Sequence, residues 1–512
     1  MTRRIRRISQ IFFLVLFLYL VWITAYPPKP GVPVDLFTRL DPLVAGASML
    51  AARAFIPGMM LSLVIVGITI LLGRIFCGWI CPLGTTLDAS DKVFFRRKSR
   101  RRPIQARRLK YYILAALFVS AIFGMQAVYL LDPLSLLTRT VVLAFLAPLQ
   151  MAVRWLAGAI YSFSFGSCSV ATMGIWLNDR IDAWQFLSGP QLHFRHGLVV
   201  LAIFVIIVGL NGLSRRFWCR NLCPLGALLG LLSRVPVLKR VVNESCPECA
   251  KCTGDCKMAA ILENPRLTRT SECIECFNCV KVCPADAVHF GFMLKPNLRP
   301  EIGLDLSRRR LLIGAGVGMA MAATKFGKAS DSQARLLIRP PGSVEEDQFA
   351  AKCIRCGACM KVCPTNGLQP ALREAGLEGF WTPVLVPRIG CCTEQCNACG
   401  EVCPTDAIEP FKIEDKKHIF IGTAVIDRKH CIAWDEDKKC LVCDEYCSYQ
   451  AVEWKVVDGF KRPFVDKKKC VGCGICEFAC PIKPAAIIIR ADKGSRPSPV
   501  VRRPQKQSVW HV

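Results

Sequence analysis

Long apolar runs separated by basic loops occupy the first 215 residues of the chain. Four of these runs predict membrane-spanning helices, because their lengths come close to the roughly 20 apolar residues of a span. The four runs are Ile11–Tyr26, Ile56–Phe76, Tyr111–Leu131 and Gly197–Leu213. Four of the first seven residues are arginines, and such positive charge marks the cytoplasmic end of a span. The pattern therefore predicts a multi-pass membrane protein that begins in the cytoplasm.

A fifth apolar segment, residues 141–163, has a different pattern. It contains Pro148, and Gln150 and Arg154 lie one turn apart on the same face of a helix. If this segment also crossed the membrane, the basic loop that begins at Ser214 would face outward, against the positive-inside rule. We therefore interpret the segment as an amphipathic helix on the outer surface, and we prefer four spans to five.

Two Cys-x3-Cys-Pro motifs follow spans that are predicted to run from the outside to the inside. The first motif holds Cys77 and Cys81, and the second holds Cys219 and Cys223. The heavily basic loop Phe94–Lys110 follows the first motif and places it at the cytoplasmic end. Four thiolates that meet there would form one closed metal site, for which an iron–sulfur centre is the most natural occupant. Two pairs of ordinary buried thiols are the alternative.

Composition agrees with a membrane protein, since 52% of the residues are hydrophobic and the mean hydropathy is +0.34. The net charge of +28 does not predict a nucleic-acid partner, because the positive-inside rule explains much of it. The thirty cysteines recur as Cys-x2-Cys-x2-Cys-x3-Cys, the spacing that binds a [4Fe-4S] cluster. Disulfide frameworks have longer, irregular separations, and zinc sites do not favour repeated Cys-x3-Cys-Pro endings.

Three cysteine-rich modules follow the membrane half, and each is expected to be a small α+β, bacterial-type ferredoxin built from a pair of βαβ-type repeats. In two-cluster ferredoxins the fourth cysteine of each run binds the other cluster. This rule predicts six [4Fe-4S] clusters with four cysteine ligands each. The first module would use Cys246, Cys249, Cys252 and Cys283 for one cluster, and Cys273, Cys276, Cys279 and Cys256 for the other. The second would use Cys353, Cys356, Cys359 and Cys403, and Cys392, Cys396, Cys399 and Cys363. The third would use Cys431, Cys440, Cys443 and Cys480, and Cys470, Cys473, Cys476 and Cys447.

Two cysteines are left over by this assignment, Cys168 and Cys391. Cys168 stands alone in the predicted outer loop, so we do not expect it to be a ligand. Cys391 is adjacent to Cys392, and either could complete the second module. We prefer Cys392 because the resulting spacing departs less from the usual pattern.

A twin-arginine pattern, Ser307–Ile313, lies near the middle of the chain and precedes a run of small apolar residues. Paired arginines of this kind are typical of signals that export folded, cofactor-loaded proteins. The apolar run has only about fourteen residues, which is short for a span of about 20. A linker helix between two cytoplasmic modules is therefore the alternative. Export would carry the second half of the chain across the membrane.

The predicted fold class is a membrane α-helical bundle joined to α+β two-cluster ferredoxin modules. The predicted domains are a transmembrane domain at 1–240, a cytoplasmic ferredoxin module at 241–300, the twin-arginine segment and linker at 301–335, a second module at 336–420, a third at 421–490, and a basic disordered tail at 491–512.

These motifs resemble two accessory ferredoxins of periplasmic nitrate reductase systems, joined end to end. Residues 1 to about 300 resemble the NapH type, and residues from about 307 to 490 resemble the NapG or MauM type. The resemblance implies a protein of the bacterial inner membrane that takes electrons from quinol. It also implies that the four-cluster half is periplasmic and delivers electrons to a redox enzyme or cytochrome, which need not be a nitrate reductase.

The leading hypothesis is a membrane-bound polyferredoxin that connects the quinone pool to an exported redox partner. The sequence contains no nucleotide-binding motif that would indicate a pocket for converting a substrate. Electron transfer is therefore the expected activity. The chain could carry it out as the quinol dehydrogenase of a larger system or as another electron carrier. The alternatives are a maturation factor for a metalloenzyme and, if export fails, an electron hub on the cytoplasmic side.

Overall fold

A computed structural model describes residues 2–28, 31–94, 106–163, 192–234, 236–292, 306–323, 337–372, 374–376 and 378–491. Three sequence predictions lie outside the described residues: Cys168, most of the basic loop 94–110, and the tail beyond residue 491. The chain divides into two compact units. Unit 1 comprises residues 1–20, 35–140 and 198–323, and unit 2 comprises residues 21–34, 141–197 and 324–512.

The described α-helices and β-strands are numbered here in chain order. The helices of the membrane half are α1 (Thr2–Ile23), α2 (Leu36–Arg39), α3 (Pro42–Ala52), α4 (Ser62–Leu72), α5 (Pro82–Phe94), α6 (Leu109–Ile122), α7 (Pro133–Thr140), α8 (Ala147–Phe163), α9 (Gly197–Gly209), α10 (Phe217–Asn221) and α11 (Pro224–Leu232). Those of the cysteine-rich half are α12 (Lys251–Asp255), α13 (Asn278–Val282), α14 (Arg308–Ala323), α15 (Glu346–Lys352), α16 (Ala358–Val362), α17 (Ala398–Glu401), α18 (Ile432–Asp435), α19 (Val442–Glu445) and α20 (Ile475–Ala479). The strands are β1 (Leu238–Val242), β2 (Val288–Phe292), β3 (Leu368–Pro370), β4 (Pro383–Leu385), β5 (Thr423–Ile426), β6 (Val452–Val457), β7 (Phe460–Val465) and β8 (Ile487–Arg490).

The predicted spans appear as helices, but three of the four are shorter than the apolar runs. The run that begins at Ile56 is regular only in α4, which ends at Gly73 with a φ of +80°. Likewise α6 ends at Ile122, and Gly124 follows with a φ of +81°. A positive φ is open to glycine and ends a right-handed helix. Apolarity continues past these points, so hydrophobicity alone overestimated the helix lengths.

Two helices in the described part of the chain are long and apolar enough to cross a membrane. They are Arg4–Ile23 and Pro133–Leu156, and the second includes much of the segment that we interpreted as a surface helix. The polar side chain of Gln150 is buried there, and its Oε1 accepts a hydrogen bond from the backbone N of Leu192 at 2.9 Å. At Gln150 the polar side of this helix therefore packs against protein. The count of four spans stays a prediction.

Helix α6 lies at the centre of unit 1, where it packs against α3, α11 and α14. Its inward residues Leu114, Leu117 and Ala121 recur every three to four positions, the spacing of one helical face. Helix α3 begins where Asp41 accepts hydrogen bonds from two backbone N–H groups and Pro42 occupies the first position. Both features are favourable at a helix start.

The first ferredoxin module belongs to unit 1 and contains strands β1 and β2 with helices α12 and α13 between them. The strands pair antiparallel, with Arg240 opposite Phe290. The predicted βαβ-type repeat was wrong in this respect, because a βαβ unit places its strands parallel. The correction leaves the α+β class unchanged.

The second and third modules belong to unit 2, and their strands also form antiparallel pairs. Strand β3 pairs with β4, β5 with β8, and β6 with β7. The β6–β7 hairpin turns at Asp458 and Gly459, whose φ angles are +53° and +82°. An Asp-Gly pair with positive φ at both positions is the favoured two-residue hairpin turn. Since β5 and β8 are the first and last strands of the third module, their pairing closes it.

Candidate iron–sulfur sites

Four of the Cys-x2-Cys runs share one unusual backbone conformation. The residues immediately before and after the middle cysteine both have a positive φ. These pairs are Glu248 and Ala250, Glu275 and Phe277, Arg355 and Gly357, and Gly472 and Gly474. A left-handed backbone is costly for non-glycine residues and persists only where the surroundings enforce it. Where right-handed and left-handed residues alternate, the successive backbone N–H groups point toward the same concave side of the loop. Such a concavity suits an anionic group at its centre.

The two Cys-x3-Cys-Pro motifs fold alike. Cys77 lies in a π-helix, Phe76–Ile80, and Cys219 lies in α10. The second cysteine of each motif directly precedes a new helix, α5 or α11, whose first residue is the motif's proline. Each proline suits this place, because the N1 position of a helix needs no N–H donor.

The four thiols of these motifs converge in unit 1. Burial, followed by the neighbouring thiols of Cys77 and Cys219, raises the pKa of Cys81. Burial and the thiols of Cys219, Cys77 and Cys81 likewise raise the pKa of Cys223 well above its ordinary value. Cys81 and Cys223 therefore resist deprotonation, and bound iron would compensate by replacing their protons.

Two fully buried arginines lie beside this group of thiols. Arg74 Nη2 is 3.9 Å from Cys77 Sγ. Arg216 donates from Nη1 to the Cys77 carbonyl oxygen at 2.9 Å. Burial alone would lower the pKa of Arg216, but Asp88 and the thiol of Cys219 outweigh it and raise that pKa. These two guanidinium groups can therefore offset part of the negative charge of four thiolates.

An apolar core joins the Cys-x3-Cys-Pro site to the first ferredoxin module. Its buried centre consists of Met258, Ala260 and Ile274. Packed against that centre are cysteines from both predicted sites: Cys77, Cys219, Cys256, Cys273 and Cys276. The contact is tight, since a Cβ on Gly78 would clash with the carbonyl oxygen of Ile274. The two sites are thus neighbours within one rigid core.

Buried ion pairs hold the module at this position. Glu272 accepts hydrogen bonds from Arg74 Nη1 at 3.2 Å, from Lys110 Nζ at 2.6 Å and, at its other oxygen, from the Tyr111 hydroxyl at 3.1 Å. The Nη1 of Arg6 in α1 donates to the Cys276 carbonyl oxygen at 3.3 Å. Since a buried charge is costly unless it is paired, these contacts favour one docking position.

The two predicted sites of the first module are adjacent. A pocket lined by Cys256, Cys273, Cys276 and Cys279 matches one predicted ligand set. Of the other set, Cys252 shares a buried core with Cys279, and Cys283 packs against that core. Cys246 is half-buried and Cys249 is exposed. This placement agrees with the crossed pairing, which stays a prediction.

The thiols of unit 2 also gather by the predicted sets, and the sets follow one another in a series. Burial, then the thiols of Cys356, Cys353, Cys403 and, last, Cys399, raise the pKa of Cys359. Burial, followed by the thiols of Cys392, Cys396 and Cys363, also raises the pKa of Cys399. Cys399 therefore links the two sites of the second module.

The series continues into the third module. The backbone N of Cys392 donates to the carbonyl oxygen of Cys473 at 2.8 Å. Burial and the thiols of Cys473, Cys470, Cys443 and Cys447 raise the pKa of Cys476. The last site is a pocket lined by Cys431, Cys440, Cys443 and Cys480 together with apolar residues.

The ambiguous pair, Cys391 and Cys392, separates in the structure. Both thiols lie near Cys363, but among the neighbours that raise the pKa of Cys399 only Cys392 appears. Burial, partly offset by the charge of Lys416, raises the pKa of Cys392 to about 11. This placement agrees with the choice of Cys392 as ligand, which stays a prediction.

The residues present fit cubane clusters. Every described cysteine is free of a disulfide, and pockets enclose two of the predicted four-cysteine sets. Within the described residues, no group of three or more His, Cys, Asp or Glu side chains is arranged around a single metal ion. A cubane is a larger body in which each thiolate binds its own iron, so its ligands stand farther apart.

Comparisons with known proteins agree with this chemistry. A family model described as a 4Fe-4S binding domain matches residues 54–102 and 197–243, which contain the two Cys-x3-Cys-Pro motifs. Two further models with the same description match residues 349–369 and 461–482. The methylamine utilization ferredoxin-type protein MauM of Methylophilus methylotrophus is 34% identical to 33% of this chain, over 80% of its own length. The chain belongs to the NapH/NapG-type polyferredoxins.

Two other relatives are also ferredoxin-type proteins. The ferredoxin-type protein NapH of Haemophilus influenzae is 26% identical over 306 residues, which are 56% of the chain and 88% of the relative. The ferredoxin-type protein NapG of Escherichia coli is 33% identical over 37% of the chain and 86% of the relative. No solved structure matches the chain. Iron–sulfur electron transfer is therefore the general function.

Sequence reasoning missed the charged residues around the Cys-x3-Cys-Pro site: Arg74, Arg216, Asp88 and Glu272. A signal was present, because Arg74 and Arg216 each stand three residues before the first cysteine of a motif. Near basic loops, however, an arginine is ordinarily explained by membrane topology. Only the fold shows that both side chains are fully buried.

Proposed function

We propose that this polyferredoxin takes electrons from quinol in the bacterial inner membrane and passes them to a redox partner on the outer side. The observation that carries the proposal is the ordered series of four thiol sites in unit 2, which runs from the Cys353 set to the Cys431 set. Iron–sulfur clusters bound at such sites supply one-electron transfer between neighbours.

The beginning of the series lies beside the C-terminal end of α1. Lys361, between two cysteines of the second module, donates hydrogen bonds to the carbonyl oxygens of Trp22 at 2.9 Å and Thr24 at 2.6 Å. The arginines at the start of α1 mark its cytoplasmic end. If α1 crosses the membrane, its C-terminal end faces outward, and these contacts support a periplasmic second module.

A second contact supports the same side. The side chains of Asn366 and Gln369 both donate to the carbonyl oxygen of His193, at 2.8 Å and 2.9 Å. His193 belongs to the loop before α9, which is predicted to face outward. Two separate segments that are predicted to face outward, the end of α1 and the loop before α9, thus contact the second module.

The end of the series supports delivery to a partner. The Cys431, Cys440, Cys443 and Cys480 thiols are each only half-buried, and residues 435–439 beside them are exposed. By contrast Cys353, Cys356 and Cys403 at the beginning are buried. Electrons leave most readily from the site closest to the surface, because transfer requires a short distance to the acceptor.

The test uses the full chain in liposomes with duroquinol as the electron donor. Each quinol oxidised to quinone should release two protons and two electrons, and so reduce two clusters, which is measured by electron paramagnetic resonance. Cys443→Ser should keep quinol-driven reduction of the other sites but lose delivery to an added external acceptor. If the loaded protein neither accepts electrons from quinol nor passes them on, the proposal fails and a maturation role is favoured.

Reporters fused after residue 490 and after residue 300 test the side of the membrane. We expect the first to be active in the periplasm and the second in the cytoplasm. Cytoplasmic activity at both positions would contradict delivery on the outer side and would favour the cytoplasmic hub.

A further inference from the structure

Helix α14, which begins with the twin arginines, packs lengthwise against α6 within unit 1. Its buried residues are Gly314, Gly318 and Ala322, four positions apart along one face. A Cβ on Gly314 would lie 3.0 Å from the Tyr112 carbonyl oxygen, and one on Gly318 would clash with the carbonyl oxygen of Ala116. Glycines at this spacing let two helix backbones approach closely, as in membrane helix pairs.

The two helices run parallel. Gly314 faces Tyr112 near the start of α6, and Gly318, one turn later, faces Ala116 and Val119. Each helix also starts with positive charge, Arg308–Arg310 in α14 and Arg107 with Arg108 before α6. Parallel helices with arginines at the same end both satisfy the positive-inside rule.

The side of α14 turned away from α6 presents large apolar side chains that the described residues leave about half exposed or more. Leu312 is 72% exposed, Ile313 65%, Met319 50% and Val317 49%. A helix with a glycine face against protein and an aliphatic face outward suits lipid acyl chains as its other neighbour. Its apolar part, Leu311–Ala323, spans ~20 Å at 1.5 Å per residue. A stretch shorter than the ~30 Å core is accommodated by local thinning of the bilayer and by flanking arginines that reach the headgroups.

We propose that α14 is a permanent membrane span, held against α6 by its glycine face and bordered by lipid on the other, and that it stays in the mature chain. The inference deepens the proposed function, because a retained span would keep the outer cluster series attached to the membrane half. It differs from a transient export signal, which needs no specific partner face.

Leucine substitutions at Gly318 and Gly316 separate these possibilities. Both add the same apolar side chain to the segment, but a Cβ added at Gly316 would have no neighbouring atom within 4 Å, whereas one added at Gly318 meets the backbone of α6. We expect Gly318→Leu to lower the folded-to-unfolded ratio of the detergent-purified full chain by about tenfold or more, the size typical of overpacking. Gly316→Leu should leave it within about twofold. Equal effects would overturn the packing proposal.

A tag at the C-terminus tests retention. We expect the tagged protein to remain full-length and to resist alkaline extraction from membranes. A tagged fragment that begins after Ala323, or one that is released by alkaline carbonate, would overturn the proposal. A residue-490 reporter that is active in the cytoplasm would also overturn the span, because α14 lies between residues 300 and 490. A full-length, extraction-resistant chain with a periplasmic residue-490 reporter that takes no electrons from duroquinol would instead contradict the proposed function and leave the span in place.

Discussion

Arg74 and Glu272 form a buried ion pair across 198 residues of sequence, with Arg74 Nη1 3.2 Å from Glu272 Oε2. Arg74 lies between α4 and the first Cys-x3-Cys-Pro motif, and Glu272 directly precedes a cysteine of the first ferredoxin module. The pair therefore connects the two places where unit 1 is expected to hold metal. Lys110 shares the same carboxylate oxygen at 2.6 Å, so one negative charge serves two buried cations.

Glu272→Gln should destabilise the docking of the first module. The substitution leaves two buried positive charges without their counter-charge, which typically costs about 3–5 kcal/mol. Thermal loss of the cluster absorbance in detergent measures the effect. Glu263→Gln is the control because Glu263 is exposed in the same module, and equal losses in the two variants would contradict the role of the pair.

Asp88→Asn should destabilise the protein by the same amount at pH 5.5 and pH 6.5. Burial alone would raise the pKa of Asp88 above 3.8, but the charges of Arg216 and Lys257 outweigh it and hold that pKa well below its ordinary range. A lowered carboxyl pKa gives stability that is fully present above the unfolded pKa of about 4 and is lost only as the pH falls below it. A difference between variant and parent that disappears as the pH falls to 5.5 would show that the pKa of this carboxyl is raised instead of lowered.

Arg216→Gln should lower the reduction potential of the Cys-x3-Cys-Pro centre. Loss of one positive charge beside thiolates disfavours the added electron, by on the order of 100 mV for a unit charge at an effective dielectric constant of about 20. A potentiometric titration followed by electron paramagnetic resonance measures the shift. Arg216→Lys retains the positive charge and should leave the reduction potential close to that of the parent. The side chain of Arg215 is 31% exposed, so Arg215→Gln should change the reduction potential little. An unchanged reduction potential in Arg216→Gln would show that Arg216 does not influence this centre.

Cys392→Ser should remove or convert one cluster, whereas Cys391→Ser should not. The fully loaded chain should contain about 28 iron atoms if all seven sites hold four each. Loss of one cluster lowers the iron count by about four, and conversion to a three-iron form lowers it by about one. Iron analysis with electron paramagnetic resonance separates these outcomes, and a loss in Cys391→Ser alone would reverse the assignment.

Cysteine spacing was informative because the ligands of each cluster lie mostly within a few residues of each other. Cys273, Cys276 and Cys279 need only one loop conformation to face a common centre, because only two residues separate each from the next. The apolar runs were informative too, because a long run of apolar residues predicts a helix wherever it occurs. Helix ends were less predictable, since α6 stops at Ile122 although the apolar residues continue.

The sequence by itself determined the class of cofactor, and it predicts the ligand sets and the membrane character of the first half. Tertiary structure decided the order of the sites in unit 2, the burial of Arg74 and Arg216 beside the thiols, and the partner of the twin-arginine helix. Each of these depends on contacts between distant residues, such as Cys392 with Cys473 or Gly318 with Ala116. No local pattern encodes such contacts, because they form only when separate elements pack together and bury their surfaces against one another.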